Sequence, residues 1–349
     1  MPFEPPEDPR AARRSAITRW VSFALVVILV LVVGYLGVVG YLGSEQLANP
    51  PEHSTDCRTP AMAEGWVYEA VNYDVASDGR LAEVADPLHC PPNEVKAGAR
   101  VETADGVRIA AWYIPAGDGA AANGPTVVLA HGYGQNKSTM LPWAELLHEH
   151  YNLVLLDFRN HGQSTGTQTT QGVLEASDLR AVVDWLEKVK KPRQLAVLGV
   201  SMGGASALHE AVGDSRVDAV ILDSTHATLA NAIQARLTRQ GYPLALPAAW
   251  GILLGGLIRT GQDMSTVDPI GEIERLHRPV LIVVGGRDDA IGPHDGQDLL
   301  DAARGGQGTE GSSAGLDTCP DAGHAEPVER CRSDYRGWVL GFLERSLAP

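Results

Sequence analysis

The sequence predicts an α/β fold, a mostly parallel sheet with helices on both faces, preceded by one N-terminal transmembrane helix. Three observations carry this expectation. Short runs rich in Val, Ile and Leu at residues 126–130, 153–156, 195–199, 219–222 and 280–284 read as strands buried on both faces. Between them lie segments with helical spacing, such as 175–190, where Leu179, Val182, Val183 and Leu186 recur at i, i+3, i+4 and i+7, and 202–212. Strand alternating with helix implies parallel strands joined by crossovers. Ahead of all this, residues 20–43 carry no charged side chain.

As a helix that charge-free stretch reaches about 36 Å, more than the about 30 Å of a hydrocarbon core. A cleaved signal peptide has a shorter apolar region of about 7–15 residues, so an uncleaved anchor over 20–43 is the expectation. Arg10, Arg13, Arg14 and Arg19 precede it, and the positive-inside rule then keeps residues 1–19 cytoplasmic and the remainder extracytoplasmic. The cysteines agree with that placement. Cys57, Cys90, Cys319 and Cys331 all follow the anchor, are even in number and show no Cys-x-x-Cys spacing, so disulfides fit better than metal ligation. Cys57–Cys90 and Cys319–Cys331 are the expected pairs, each closing a short local loop.

Composition excludes two classes. The 349 residues are 44% hydrophobic, too apolar for a disordered chain. Against 43 Asp and Glu stand only 28 Lys and Arg, a net charge of −15, and nucleic acid is not an expected partner because phosphate binding needs a concentrated basic face.

Residues 44–98 read as a tether and an N-terminal extension packing on the domain, and 99–349 as the α/β domain. Within it, 100–103 and 107–114 flank Asp105-Gly106, a hairpin signal. Residues 240–258 are uncharged and formally pass a membrane-span test. They contain Pro243 and Pro247, and a crossing there would separate 259–349 from the candidate nucleophile. The segment is therefore expected to be a greasy cap over the site, in reach of lipid, with a plain buried core helix as the alternative. Residues 304–315 form a Gly- and Ser-rich loop.

The pattern Gly-x-Ser-x-Gly occurs three times, so context must choose. Gly311–Gly315 lies in the flexible loop. Gly162-Gln163-Ser164-Thr165-Gly166 leads into Thr- and Gln-rich turns. Only Gly199-Val200-Ser201-Met202-Gly203 joins an apolar strand directly to a helix. A serine on such a turn projects Oγ above the sheet edge, the tight backbone requires small flanking residues, and the helix N-terminus offers N–H groups to a developing oxyanion. Ser201 is the expected nucleophile. Met202 N–H is one expected oxyanion donor, and the other is Tyr133 N–H, in His131-Gly132-Tyr133-Gly134 after the strand 126–130. His131 itself is expected to be structural.

Serine needs a base, and the base an orienting acid. His324, in Pro320-Asp321-Ala322-Gly323-His324, follows a short strand around 316–319 and precedes a final helix. His226, His277 and His294 are its rivals. Asp288 follows the strand 280–284, giving the chain order Ser, Asp, His. Asp289 and Asp223 compete for the acid's role, while Asp157 is expected to anchor the loop 159–164.

Together, His131–Gly134, Asp157-Phe158-Arg159-Asn160-His161-Gly162-Gln163-Ser164, Gly199–Gly203, Asp288 and Gly323-His324 make residues from about 100 to 345 resemble the α/β-hydrolase superfamily, particularly its serine aminopeptidase-like and Bem46-like branches. The resemblance implies an eight-stranded sheet, a cap at about 225–268 and a Ser201–His324–Asp288 triad, with no metal or organic cofactor. It also implies acyl transfer to water from a small-molecule or lipid-like ester. A peptidase or amidase, or a catalytically silent binding protein, are the alternatives on the same fold.

Overall fold

A computed structural model describes residues 9–51, 53–71, 101–117, 121–306 and 313–348. The chain begins with α1 (Pro9–Ala48) and α2 (Pro60–Glu64), then β1 (Glu69–Val71), β2 (Ala111–Ile114) and β3 (Thr126–Ala130). There follow α3 (Leu141–Leu147), β4 (Asn152–Leu156), α4 (Glu175–Val189), β5 (Leu195–Val200), α5 (Met202–Gly213) and β6 (Ala219–Asp223). The helices α6 (Leu229–Arg239), α7 (Ala245–Thr260) and α8 (Pro269–Ile273) precede β7 (Val280–Gly285). The chain closes with α9 (Asp295–Gly306), β8 (Ala314–Cys319), α10 (Pro327–Arg330) and α11 (Arg332–Ser346).

The eight strands form one sheet in the order β1-β2-β4-β3-β5-β6-β7-β8. Only the β1–β2 and β2–β4 pairs are antiparallel; every pair from β4 to β8 is parallel. Each strand called from an apolar run is present, whereas β1 falls in the segment read as an extension. Its three residues are too short and too mixed to signal a strand, and their pairing with β2 creates it. The Asp105-Gly106 turn is also present, with Gly106 at φ 83° and Thr103 N–H donating to Val107 O at 2.9 Å. Its ladder is short, a single bridge between Glu102 and Arg108, because β2 turns away to pair with β4.

Alternate strand residues face opposite layers, as a period of two requires. Val128, Ala130, Val197 and Val220 pack with α4, α5 and α9, and Val127, Leu129, Leu198 and Ile221 with α3 and α11. A third apolar cluster joins α6 and α7 to the C-terminal part of α1.

The 40-residue helix α1 continues through Ala48, past the expected end of the apolar run. Its stretch 17–48 is long and apolar enough to cross a membrane, and from Trp20 to Leu31 its apolar side chains are exposed. Its last three turns lie against α7 at very short range. A Cβ on Gly40 would sit 2.8 Å from Gly251 O, and one on Gly255 would meet both Gly40 O and Ser44 at 2.8 Å. Small residues four apart on each helix, Gly40 with Ser44 and Gly251 with Gly255, permit this approach. The C-terminal carbonyls of α1 are then taken up by the domain. Ala48 O accepts from Thr169 N–H at 2.7 Å, Leu47 O from Gln171 Nε2 at 2.8 Å, and Gln46 O from the Tyr133 hydroxyl.

The expected Cys319–Cys331 disulfide is formed and encloses His324. Cys57 is also disulfide-bonded; its expected partner, Cys90, lies outside the described residues.

Beneath the loop 159–164, Asp157 is fully buried and accepts from Lys137 N–H at 2.7 Å, Gln163 N–H at 2.8 Å and the Lys137 ammonium. Lys137 is buried as well and also donates to Gln163 Oε1 at 2.9 Å. Asp157 thus anchors the loop as expected. Removing one partner of a buried pair leaves the other charge uncompensated. Lys137→Met should therefore destabilise the fold by about 3–5 kcal/mol, read as a lowered midpoint in denaturant titration of the detergent-solubilised protein, whereas Gln163→Ala should cost far less.

Candidate active site

Because β3 to β8 are parallel, the turns that follow their C-terminal ends gather on one rim of the sheet. The chain passes from β3 to β4 on one side and then from β4 through α4 to β5 on the other, so the crevice between β3 and β5 is the switch point at which such sheets bind ligands. Ala130 pairs with Gly199 in this register, which sets the loop 131–134 beside Ser201.

Ser201 alone separates β5 from α5 and holds φ 54° and ψ −116°, a conformation costly for a residue with a Cβ. Its surroundings dictate that geometry. A Cβ on Gly199 would lie 2.2 Å from Gly203 O, and one on Gly203 would lie 2.3 Å from Ala130 O. Both glycines are thus required for helix, strand and neighbouring strand to meet. Ser164, in the second match to the motif, is spent on structure instead: its Oγ donates to Asp157 O at 2.6 Å and accepts from Ala110 N–H at 2.8 Å. The third match lies partly outside the described residues.

The structure brings the three expected side chains together. His324 Nε2 is 3.0 Å from Ser201 Oγ, and His324 Nδ1 is 2.8 Å from Asp288 Oδ2. Asp288 is 2% exposed, and its other oxygen accepts from Ala290 N–H at 2.9 Å and Ile291 N–H at 3.3 Å. With the carboxylate so held, Nδ1 carries the proton and Nε2 faces Ser201 as an acceptor. The rivals are placed elsewhere. Asp289 is 73% exposed and 3.5 Å from Arg239, while His277 and His294 are exposed. His226 is buried, which lowers its pKa to about 4, and its Nε2 has no partner in the protein; it lines the site without touching the serine.

Asp223 sits one layer below. Fully buried, it accepts from Trp143 Nε1 at 3.0 Å, Tyr335 OH at 2.7 Å and Ser224 Oγ at 2.9 Å, and burial raises its pKa. Ser224 Oγ in turn accepts from Ala325 N–H at 3.0 Å. The chain from α3 and α11 through Asp223 and Ser224 therefore fixes the residue after His324. Nothing local in sequence marks Trp143, Ser224 or Tyr335 for this role, since they come from separate elements.

Around the loop 131–134 two amides are already assigned. Gly132 N–H donates to Gln135 Oε1 at 3.1 Å and Gly134 N–H to His161 Nε2 at 3.0 Å. Among the described residues the Tyr133 and Met202 amides donate to no neighbouring loop or side chain. His131 is fully buried and holds the loop: it donates from Nδ1 to Gly132 O at 2.7 Å and accepts from Phe158 N–H at 3.0 Å. Burial depresses its pKa to about 3, which keeps this pattern intact.

Residues 127–333 match the profile of the alpha/beta hydrolase family. The chain belongs to that family. Among curated relatives, the uncharacterized protein YfhR of Escherichia coli is 28% identical over 250 residues, covering 70% of this chain and 79% of YfhR. The uncharacterized protein YqkD of Bacillus subtilis is 30% identical over 227 residues, covering 63% of this chain and 71% of YqkD. Among solved structures, an esterase of Pyrococcus furiosus superposes with a TM-score of 0.64 at 21% identity, covering 86% of this chain and 98% of that one. An esterase of Exiguobacterium antarcticum gives 0.52 at 19% identity over 70% of this chain and 98% of that one. At such identities these structures speak for the fold.

In this alpha/beta hydrolase a cavity of about 620 Å³ opens above Ser201. Its walls come from the elbow, the loop 131–134, His324, α6 and, unforeseen from sequence, α1 through Val39, Leu42, Gly43 and Leu47. The small-residue spacing of Gly40 and Ser44 against Gly251 and Gly255 was the sequence signal for that contact. The lining is mixed: aliphatic side chains from α1, α6 and α7 face it together with several glutamines and with Arg236 and Arg239, and among the described residues it contains no Asp or Glu. No cluster of His, Cys, Asp or Glu among the described residues is arranged to hold a metal ion.

The two neighbouring acids can be separated by substitution. Asp288→Asn should leave His324 with the wrong tautomer and lower kcat by about 10⁴-fold, and Asp289→Asn should leave it within about twofold, as measured on one activated acyl ester.

Proposed function

We propose that the protein is a membrane-anchored serine hydrolase that cleaves carboxylic esters through an acyl-enzyme. The observation that carries this reading is the relay from Ser201 through His324 to Asp288, at 3.0 and 2.8 Å, beside two uncommitted amides. Ser201 Oγ attacks the ester carbonyl while His324 Nε2 takes its proton, and Asp288 stabilises the imidazolium. The amides of Tyr133 and Met202 hold the oxyanion. His324 then protonates the departing alkoxide, and a water activated by the same imidazole releases the acid.

Two features favour an ester over a peptide with a free amine. Recognition of an ammonium group calls for a carboxylate, and the described lining supplies none. The aliphatic part of the wall, from Val39, Leu42 and Leu47 of α1 and Leu229, Ile233 and Leu237 of α6, suits an acyl chain instead. The esterase neighbours lend support at the level of the shared fold. Residues 20–43 serve as the anchor in this reading, with Arg10, Arg13, Arg14 and Arg19 on the cytoplasmic side. The Cys319–Cys331 disulfide fits a catalytic domain in an oxidising compartment outside the cell membrane.

A fluorophosphonate probe tests the assignment directly. Wild type should label and Ser201→Ala should not, with ester turnover falling about 10⁴-fold or more in the variant. Labelling that survives in Ser201→Ala would refute the nucleophile.

A further inference from the structure

The helix α7 is apolar on two sides. Ala248, Ala249, Ile252, Leu253 and Gly256 face the interior, while Leu246, Trp250, Leu254, Leu257 and Ile258 form an exposed face. The exposed residues recur at i, i+4, i+8 and i+11 or i+12, so they lie along one stripe, and no charge occurs between Arg239 and Arg259. An apolar stripe of this size is not ordinary water-facing surface.

What covers it follows from its alignment with α1. The two helices run parallel in register. Tyr35 OH donates to Pro243 O at 2.7 Å, Gly40 meets Gly251, Ser44 meets Gly255, and Glu45 pairs with Arg259 at 2.5 Å. A hydrocarbon core of about 30 Å takes about 20 helical residues. Begun at Trp20, the first residue after Arg19, it ends near residue 39, and the uncharged run itself ends at Gly43. Pro243, level with Tyr35, then lies about 6–12 Å inside the outer boundary at 1.5 Å per residue. Trp250, level with residue 39, falls at the boundary where Trp and Tyr concentrate. Glu45 and Arg259, the first charges after the uncharged stretch of either helix, lie outside it. By the same register Leu246 lies inside the boundary, Trp250 and Leu254 lie between its two limits, and Leu257 and Ile258, level with residues 46 and 47, fall just outside at headgroup level, so α7 enters the leaflet by its first turns.

The cavity opens at this same level. Leu42 of α1 and Tyr242 of the α6–α7 connection both line it and are 57% and 44% exposed, so its rim runs between α1 and the tip of the cap, with the exposed Arg236, Arg239 and Gln240 at the end of α6 completing it. We infer that α7 is inserted in the outer leaflet and that the cavity opens sideways into it, so that the substrate is a long-chain acyl ester drawn directly from the bilayer. The inference rests on the ester-hydrolase and membrane-anchor reading above and names its substrate class. A chain passing between Leu42 and Tyr242 reaches the aliphatic walls, with its ester at Ser201, without crossing water.

The test uses the full chain reconstituted in phosphatidylcholine vesicles. Leu246 and Trp250 do not line the cavity. The double substitution Leu246→Glu with Trp250→Glu should therefore leave turnover of soluble p-nitrophenyl butyrate within about twofold, yet lower turnover of a vesicle-borne palmitoyl glycerol about tenfold or more. Equal retention of both activities would overturn the inference. Insertion is read separately, without catalysis, from fluorescence in vesicles of brominated phosphatidylcholine. The signal lost in Trp250→Phe should itself be bromine-quenched, over and above the quenching of Trp20 that the variant retains. If Trp250 is unquenched, whether bathed in water or covered by a second copy, the inference fails even where the double variant misfolds. If wild type cleaves neither ester but Trp250 is quenched, the fault lies with the ester-hydrolase reading; the leaflet placement of α7 stands, and the proposal of substrate falls with the activity.

Discussion

Ser201 is held at φ 54° and ψ −116° because three backbones meet around it with no room for side chains. The strand β5, the first turn of α5 and the end of β3 approach so closely that Gly199 and Gly203 leave no space for a Cβ. That constraint fixes everything above it. Ser201 stands at the junction of β5 and α5, and the loop 131–134 is brought alongside by the pairing of Ala130 with Gly199. The strain is stored where the surrounding layers over-determine the backbone.

The remaining members of the site are placed by parallel pairing and secured from below. β7 and β8 deliver Asp288 and His324 to the same rim, and the Cys319–Cys331 bridge closes the loop that carries the imidazole. Under that loop the buried carboxylate of Asp223 ties α3, α11 and Ser224 together, so that helices on the far layer control the position of Ala325 and, with it, His324. On the other flank Asp157 and Lys137 hold the loop 159–164, and His131 holds the loop 131–134 against it. A strained serine flanked by three rigid polar anchors is a preorganised arrangement, which is the condition for transition-state charge to be stabilised without rearrangement.

The N-terminal helix belongs to this assembly rather than trailing from it. Its carbonyls at Gln46, Leu47 and Ala48 accept hydrogen bonds from the Tyr133 hydroxyl, Gln171 and Thr169, and its side chains form one wall of the cavity. An element that reads as an anchor is thereby coupled to the loop 131–134 and to the shape of the cavity.

Much of this was written in local pattern. Strands buried on both faces carry uninterrupted Val, Ile and Leu, so β3 to β7 were legible from composition, and the Gly-x-Ser-x-Gly elbow stood out because a strand leads straight into a helix there. Asp288 and His324 followed from their places after strands, since parallel sheets send such turns to one edge. The choice between Asp288 and Asp289 was not legible: neighbouring residues of one type differ only in direction, and backbone amides from Ala290 and Ile291 settle it. Nor was β1, whose three residues are a strand only because β2 pairs with them. Trp143, Ser224 and Tyr335 acquire their role by converging on Asp223 from three elements, and α1 acquires its role by lying against α7. The sequence by itself determined the layers, the Gly-x-Ser-x-Gly turn and the apolar helix, because each rests on residues adjacent along the chain. Only the tertiary structure decided which carboxylate faces the imidazole and which helix walls the cavity, because those depend on distances between segments far apart in sequence.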